Sequence, residues 1–259
     1  MYLHTYCLKN YRRLREARIE LDNEFSIFVG SNNSGKTSAT HAIQAFTAGS
    51  KGSFSLFDFS SSCWGEFDRL GEGMENGDEP PDLPSMSLDL WFEVAAADLY
   101  LVIPLLPSTA WEGTQVGIRI EFGARDPVGV LDRFRAARSL SLANAAALEP
   151  REGERYIPWP KSLTDYLKEE LPREFELRYF VLDRARFDGM PVAAGDHVPS
   201  HLGNEPGGAA LLKSLLKVDH LSAQRHLADP STGIGPGAGR SEDLSRRLSR
   251  FYKRNLEQR

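Results

Sequence analysis

Apolar and polar side chains alternate along residues 17–21 (Ala-Arg-Ile-Glu-Leu), 87–94, 115–122 and 174–182. A period of two sends successive side chains to opposite faces, so each stretch predicts a strand with one face in a core and one in water. Residues 2–8 alternate less strictly and predict a further strand. It joins 17–21 in a hairpin-like pair across a turn at Asn10-Tyr11-Arg12-Arg13. Strands with a wet face belong to antiparallel sheets, whereas a purely parallel sheet would show unbroken apolar runs. Residues 25–29 (Phe-Ser-Ile-Phe-Val) read instead as a buried strand.

Helical spacing follows at once. Ala39, Ile43 and Phe46 share one face of a helix over residues 37–48. Residues 96–103 predict a short helix ended by Pro104, and 128–148 a longer one bracketed by Pro127 and Pro150. Ser162 opens another, closed by Pro172, and 209–217 form one more, followed by a short strand over 218–221. The stretch 49–86 is rich in Gly, Ser, Asp and Pro around islands of aromatics, and predicts a flexible acidic insertion. Residues 228–240 read as a Gly/Pro linker. Beyond it, Ser241-Glu242-Asp243 caps a last helix with Leu244, Leu248, Phe251 and Asn255 on one stripe. The expected organisation is a lobe over 1–239, with a C-terminal helix or the start of a helical arm over 240–259.

One segment carries chemistry. Gly30-Ser31-Asn32-Asn33-Ser34-Gly35-Lys36-Thr37 fits the phosphate-loop pattern G-x-x-x-x-G-K-[ST], with the required strand expected before it and helix after it. In such a loop, backbone N–H groups from Gly30 to Ser38 cradle phosphate oxygens at the positive end of a helix. Lys36 reaches the β- and γ-phosphates, and Thr37 offers its hydroxyl to Mg²⁺. The expected ligands are therefore ATP and Mg²⁺.

Charge narrows the partners only a little. The net charge of −5 excludes a chain that is basic overall. Acidic residues crowd residues 66–82, while Arg240, Arg246, Arg247, Arg250, Lys253, Arg254 and Arg259 make the last twenty residues basic, which permits a local polyanion contact. Cys7 and Cys63 have no metal-ligand spacing. No apolar run is long enough to span a membrane, and no signal peptide is visible, so a cytoplasmic protein is expected.

The first fifty residues resemble the start of an ABC-class ATPase of the SMC/RecF/OLD kind. There a strand ending in "nFRS" and a second strand precede "GxNxxGKS/T", as Leu8-Lys9-Asn10-Tyr11-Arg12-Arg13 and residues 28–37 do here. The Asn-Asn-Ser loop interior is similar to OLD-type nucleases of antiphage defence, and residues 218–230 resemble a strand ending in "sAxR". The resemblance implies an α/β P-loop NTPase lobe, in which a P-loop strand–helix unit joins an antiparallel β layer and flanking helices. It implies that Arg12 folds back onto the nucleotide. It also makes Gln224 a candidate for sensing Mg²⁺ and water, and Asp183 a candidate Walker B aspartate, although Arg184 stands where the catalytic glutamate belongs.

No LSGG-like signature, Asp-Glu Walker B pair or Toprim-type carboxylate cluster is legible. The expectation is thus an ATP-binding lobe that is incomplete for hydrolysis. It would work as a homodimer or with a complementary C-terminal half or second ATPase lobe, and meet DNA through the full assembly. Two alternatives stand beside it: a small-molecule phosphotransferase using Asp89, Asp183 or Arg225, and a nucleotide-dependent interaction module in which ATP orders residues 49–86.

Overall fold

A computed structural model describes residues 1–48, 50–73, 82–147, 158–187, 198–202 and 207–219. Residues 1–218 form one unit, and a second, from Asp219 to Arg259, contains Asp219 as its one described residue. Gln224, Arg225, the linker at 228–240 and the helix expected over 240–259 therefore lie outside the described residues.

The alternating stretches become a six-stranded, wholly antiparallel sheet in the order β2-β1-β3-β4-β5-β6. Its strands are β1 (Tyr2–Tyr11), β2 (Leu14–Glu20), β3 (Met86–Glu93), β4 (Gln115–Ala124), β5 (Phe175–Leu182) and β6 (Ser200–His201). Alternation sorts the side chains as expected. Tyr6, Leu8, Leu88, Leu90, Phe92, Ile118, Ile120 and Phe122 enter a large core shared with the helices. The opposite face carries a small cluster of Cys7, Trp91, Leu182 and Phe187. Beside that cluster, Arg119 clasps Asp89 through two hydrogen bonds of 2.7 Å.

The helices are α1 (Lys36–Thr47), α2 (Ser61–Glu72), α3 (Pro127–Ala147), α4 (Leu163–Glu174) and α5 (Gly208–Leu215). Ser162 caps α4 by accepting the Asp165 N–H. Pro172 does not close that helix but sits in its last turn, where it forgoes the one N–H bond that would reach back to the Lys168 carbonyl. The helix expected over 96–103 is instead a pair of 3₁₀ turns, Ala96–Leu101 and Ile103–Leu105. Tight turns of this kind suit short connectors. Val218 and Asp219 are not in a strand.

Two expectations are corrected. Residues 50–73 are not a flexible insertion. Phe54, Leu56, Phe59, Cys63, Phe67 and Leu70 are all buried, and α2 presents Cys63, Phe67, Leu70 and Gly71 as one stripe. Gly71 is required there, because a Cβ would lie 2.8 Å from the Leu163 Cβ. Asp68, counted among the crowded acidic residues, accepts the Thr164 N–H at 2.8 Å and its hydroxyl at 3.0 Å, tying α2 to α4. The acidic residues between 74 and 81 lie outside the described set.

The second correction concerns residues 25–29. No strand forms there, and Phe25, Ile27 and Val29 are 71%, 76% and 89% exposed. Only Phe28 turns inward against the core. Four of its five residues are apolar, as in a buried strand, but a strand also needs a neighbouring ladder. Among the described residues no backbone hydrogen bond joins this stretch to the sheet.

Burial also sets an alkaline limit on this fold. It pushes the Tyr6 and Tyr11 phenols from 10.0, and the Cys7 thiol from 9.0, up to about 12. Below the ordinary values these groups are neutral in both folded and unfolded chains. Above them the unfolded chain ionises first, so stability is lost as pH rises from about 9 toward 12. Urea midpoints are expected to be level between pH 7 and 8.5 and to fall progressively at pH 10 and 11.

Candidate nucleotide-binding site

The phosphate loop is built on one backbone constraint. Gly35, immediately before α1, has φ 98°, and a Cβ there would come within 2.8 Å of the Leu14 Cδ2. Glycine meets both demands, a left-handed turn and a close approach from β2. The Gly35 carbonyl accepts the Ala39 N–H at 2.9 Å and starts the helix. No side chain caps α1, and its first turn holds no acidic residue. Its leading N–H groups are thus left for an anion at the positive end of the helix dipole.

Lys36 braces the loop. Its Nζ donates to the Gly30 carbonyl at 2.6 Å and to the Ser31 carbonyl at 2.7 Å, drawing the two ends of the loop together. Ser34 closes a turn onto Ser31 with its N–H at 3.3 Å, and Asn33 takes a left-handed φ of 67°. Ser31, Asn32, Asn33 and Ser34 are exposed, and so is Thr37, while Ser38 is half-buried. The loop is thus held by its own backbone and one ammonium group.

Among the described residues no cluster of three or more His, Cys, Asp or Glu side chains could hold a metal ion.

The β1–β2 turn lies against this loop. The Arg13 guanidinium donates to the Asn33 carbonyl. Arg12, the residue expected to reach the nucleotide, points elsewhere: its Nε donates to Asp58 Oδ1 at 2.9 Å. Asp58 in turn accepts the Ser55 N–H and hydroxyl on its other oxygen, both at 3.0 Å. Behind the turn, the Tyr11 hydroxyl pairs with His41 Nδ1 at 2.8 Å, fixing β1 to α1. The sequence held a signal for Asp58, since Ser55-Leu56-Phe57-Asp58 is the capping-box pattern.

Other candidates fall away from the loop. Asp183 follows β5 and caps a short 3₁₀ turn by accepting the Ala185 N–H at 3.0 Å. Leu182 pairs with Gly117, Gly117 with Trp91 and Trp91 with Thr5. Asp183 therefore belongs at the sheet end where β1 begins, whereas the phosphate loop meets the end where β1 finishes. At ~3.3 Å per residue the separation along the strands is about 25 Å. Asp183 instead lines a separate cleft with Trp111, Gln115 and Arg184. Asp89 is committed to Arg119 on the sheet face away from the helices.

The sequence over residues 1–172 matches the model of the AAA ATPase domain family. The chain belongs to that family. As an AAA ATPase domain it has the mixed α/β fold expected from its sequence. It is 39% identical over 49 residues to the DNA replication and repair protein RecF of Rickettsia canadensis (strain McKiel), a match covering 19% of this chain. The chain spans 14% of the length of that relative. A solved structure described under "Structural biochemistry of ATP-driven dimerization and DNA stimulated activation of SMC ATPases" aligns with 59% of this chain and 95% of its own. That alignment has 16% identity and a TM-score of 0.27. No helix among the described residues is long and apolar enough to cross a membrane.

Proposed function

We propose that this AAA ATPase domain is the ATP-binding lobe of an ABC-class ATPase of the SMC/RecF kind, acting in DNA repair or in phage defence like the OLD nucleases. The observation that carries ATP binding is the lysine-braced loop at an uncapped helix start. Phosphoryl transfer depends on positioning and charge neutralisation. Lys36 and the first-turn N–H groups supply part of that, and Mg²⁺ held with Thr37 would supply more.

Hydrolysis needs further groups, which a second lobe or a second copy of the chain would contribute. The row of Phe25, Ile27 and Val29 supports this reading. It lies directly before the loop in the sequence and is exposed to water. Strands of a complementary lobe are the occupant it suits, since they would cover the row and complete its hydrogen bonding.

A small-molecule phosphotransferase is disfavoured because Asp89 and Asp183, its described candidate carboxylates, lie away from the loop. A nucleotide-ordered switch over 49–86 is disfavoured because residues 50–73 are already part of the core.

Calorimetry and phosphate release on the purified chain test the proposal. ATP·Mg²⁺ is expected to bind, with turnover ~10³-fold below that of an assembly carrying the complementary lobe, the scale of a missing trans contact. Brisk hydrolysis by the chain alone, at its monomer mass, would refute the need for a second lobe.

A further inference from the structure

The connection from β3 to β4, residues 94–114, is long but tightly built. Its neck is closed by the Val94 N–H, which bonds to the Thr114 carbonyl at 2.7 Å, and the Gln115 amide bonds to Glu93 at 3.0 Å beside it. Within the loop, the 3₁₀ turns at Ala96–Leu101 and Ile103–Leu105 have three residues per turn, so positions three apart share a face. Val102 and Leu105 form an inward row, buried in the core. Tyr100 and Ile103 form an outward row, 69% and 60% exposed, and Leu99 and Leu101 beside them are exposed too. Ordered connections of this length are uncommon unless they serve a function. A folded domain also rarely leaves several large apolar side chains together in water.

We propose that this loop is a contact surface between two copies of the chain, separate from the phosphate loop and independent of nucleotide. Charge narrows the occupant. Residues 94–114 contain no Lys, Arg or His, so neither a nucleic acid nor an anionic membrane surface finds the basic residues it needs. The two carboxylates stand apart from the outward row. Asp98 is half-buried and accepts from the Met1 ammonium group, and Glu112 comes two residues before Thr114 at the neck. A second copy brings an equally uncharged row. A two-fold axis beside Tyr100 and Ile103 sets apolar against apolar, with no like charges opposed.

The loop sits at the sheet end away from the phosphate loop. Glu93 pairs with Tyr2 at the start of β1, whereas Leu14, which packs on Gly35, pairs with Tyr11 at its finish. The ten residues of β1, at ~3.3 Å each, put about 30 Å between these ends. A pair joined through residues 99–103 therefore leaves both phosphate loops uncovered. The contact is small. Four side chains from each copy are far fewer than the roughly 20–30 residues of a standard interface, so the pair is weak and reversible, with a dissociation constant of about 100 µM.

Sedimentation equilibrium on the full chain without nucleotide, from ~10 to ~500 µM, brackets that constant. The average mass is expected to rise toward that of a dimer. Tyr100→Glu combined with Ile103→Glu is expected to weaken association about tenfold or more, since it brings unpaired carboxylates into an apolar contact. Both side chains are exposed, so the double variant should melt as the wild type does. Phe25→Glu combined with Ile27→Glu, which alters the other exposed row, should dimerise normally, and so should Lys36→Ala. A second readout adds no charge. Tyr100→Cys should be joined to its copy by a short bis-maleimide, because Cys7 and Cys63 are buried, whereas Phe57→Cys, exposed elsewhere, should not. A monomer at every concentration overturns the proposal, as does a dimer that requires ATP. So does association lost in the Phe25/Ile27 variant but kept in the Tyr100/Ile103 variant. Binding to phosphatidylcholine vesicles that the Tyr100/Ile103 variant abolishes, without any dimer, would make the loop a lipid contact and likewise overturn it.

Discussion

Replacing Lys36 with alanine is expected to lower affinity for ATP·Mg²⁺ by about 10- to 100-fold, the scale of one to two hydrogen bonds to a charged partner. The fold should hardly notice. The two carbonyls that accept from Lys36 belong to Gly30 and Ser31, which are exposed, so water can replace the ammonium group at both. Deleting it therefore leaves no buried acceptor unsatisfied, and the melting temperature should move by no more than ~2 °C. Ligand binding and stability thus part company at this residue. Calorimetry beside a thermal melt reads both. Unchanged affinity would remove the loop from the site, and a collapse of the melt would make Lys36 a structural brace.

The pattern of alternation was enough to place β1 to β5, because a half-wet antiparallel strand writes its two faces directly into the sequence. The helix starts at Lys36 and Leu163 were legible for a similar reason, being marked by the glycine of the phosphate loop and by Ser162. What was not legible depends on partners distant in sequence. Residues 25–29 have the apolar run of a buried strand, but an apolar run cannot supply a neighbouring ladder. Arg12 and Arg13 look interchangeable in the chain. The difference is made by Asp58, forty-six positions from Arg12, reaching back across the turn. Asp183 had the apolar run before it that a Walker B strand has. Only the register of β5 against β4, and of β3 against β1, shows that it leads to the other end of the sheet.

Phe59→Ala is expected to cost about 3–5 kcal/mol, as for other fully buried aromatic rings. Composition had concealed this position, since Gly, Ser and Asp around it suggested solvent. The ring is 2% exposed and meets Phe67 at 5.3 Å, Phe175 at 5.7 Å and Phe122 at 6.2 Å between centroids. It joins α2 to β4 and β5, so truncation opens a cavity among three rings that cannot all collapse onto it. Its neighbour Phe57 is the control, being 67% exposed with its contact to Trp64 at the surface. Phe57→Ala should cost less than ~1 kcal/mol. Domains of this kind commonly have a total stability of ~5–15 kcal/mol, so urea unfolding should resolve the pair easily. Equal midpoints for the two variants would mean that residues 50–73 are peripheral after all. A large gap would mean that the phosphate loop rests on them, because the same segment supplies both Phe59 to the core and Asp58 to the turn that holds the loop.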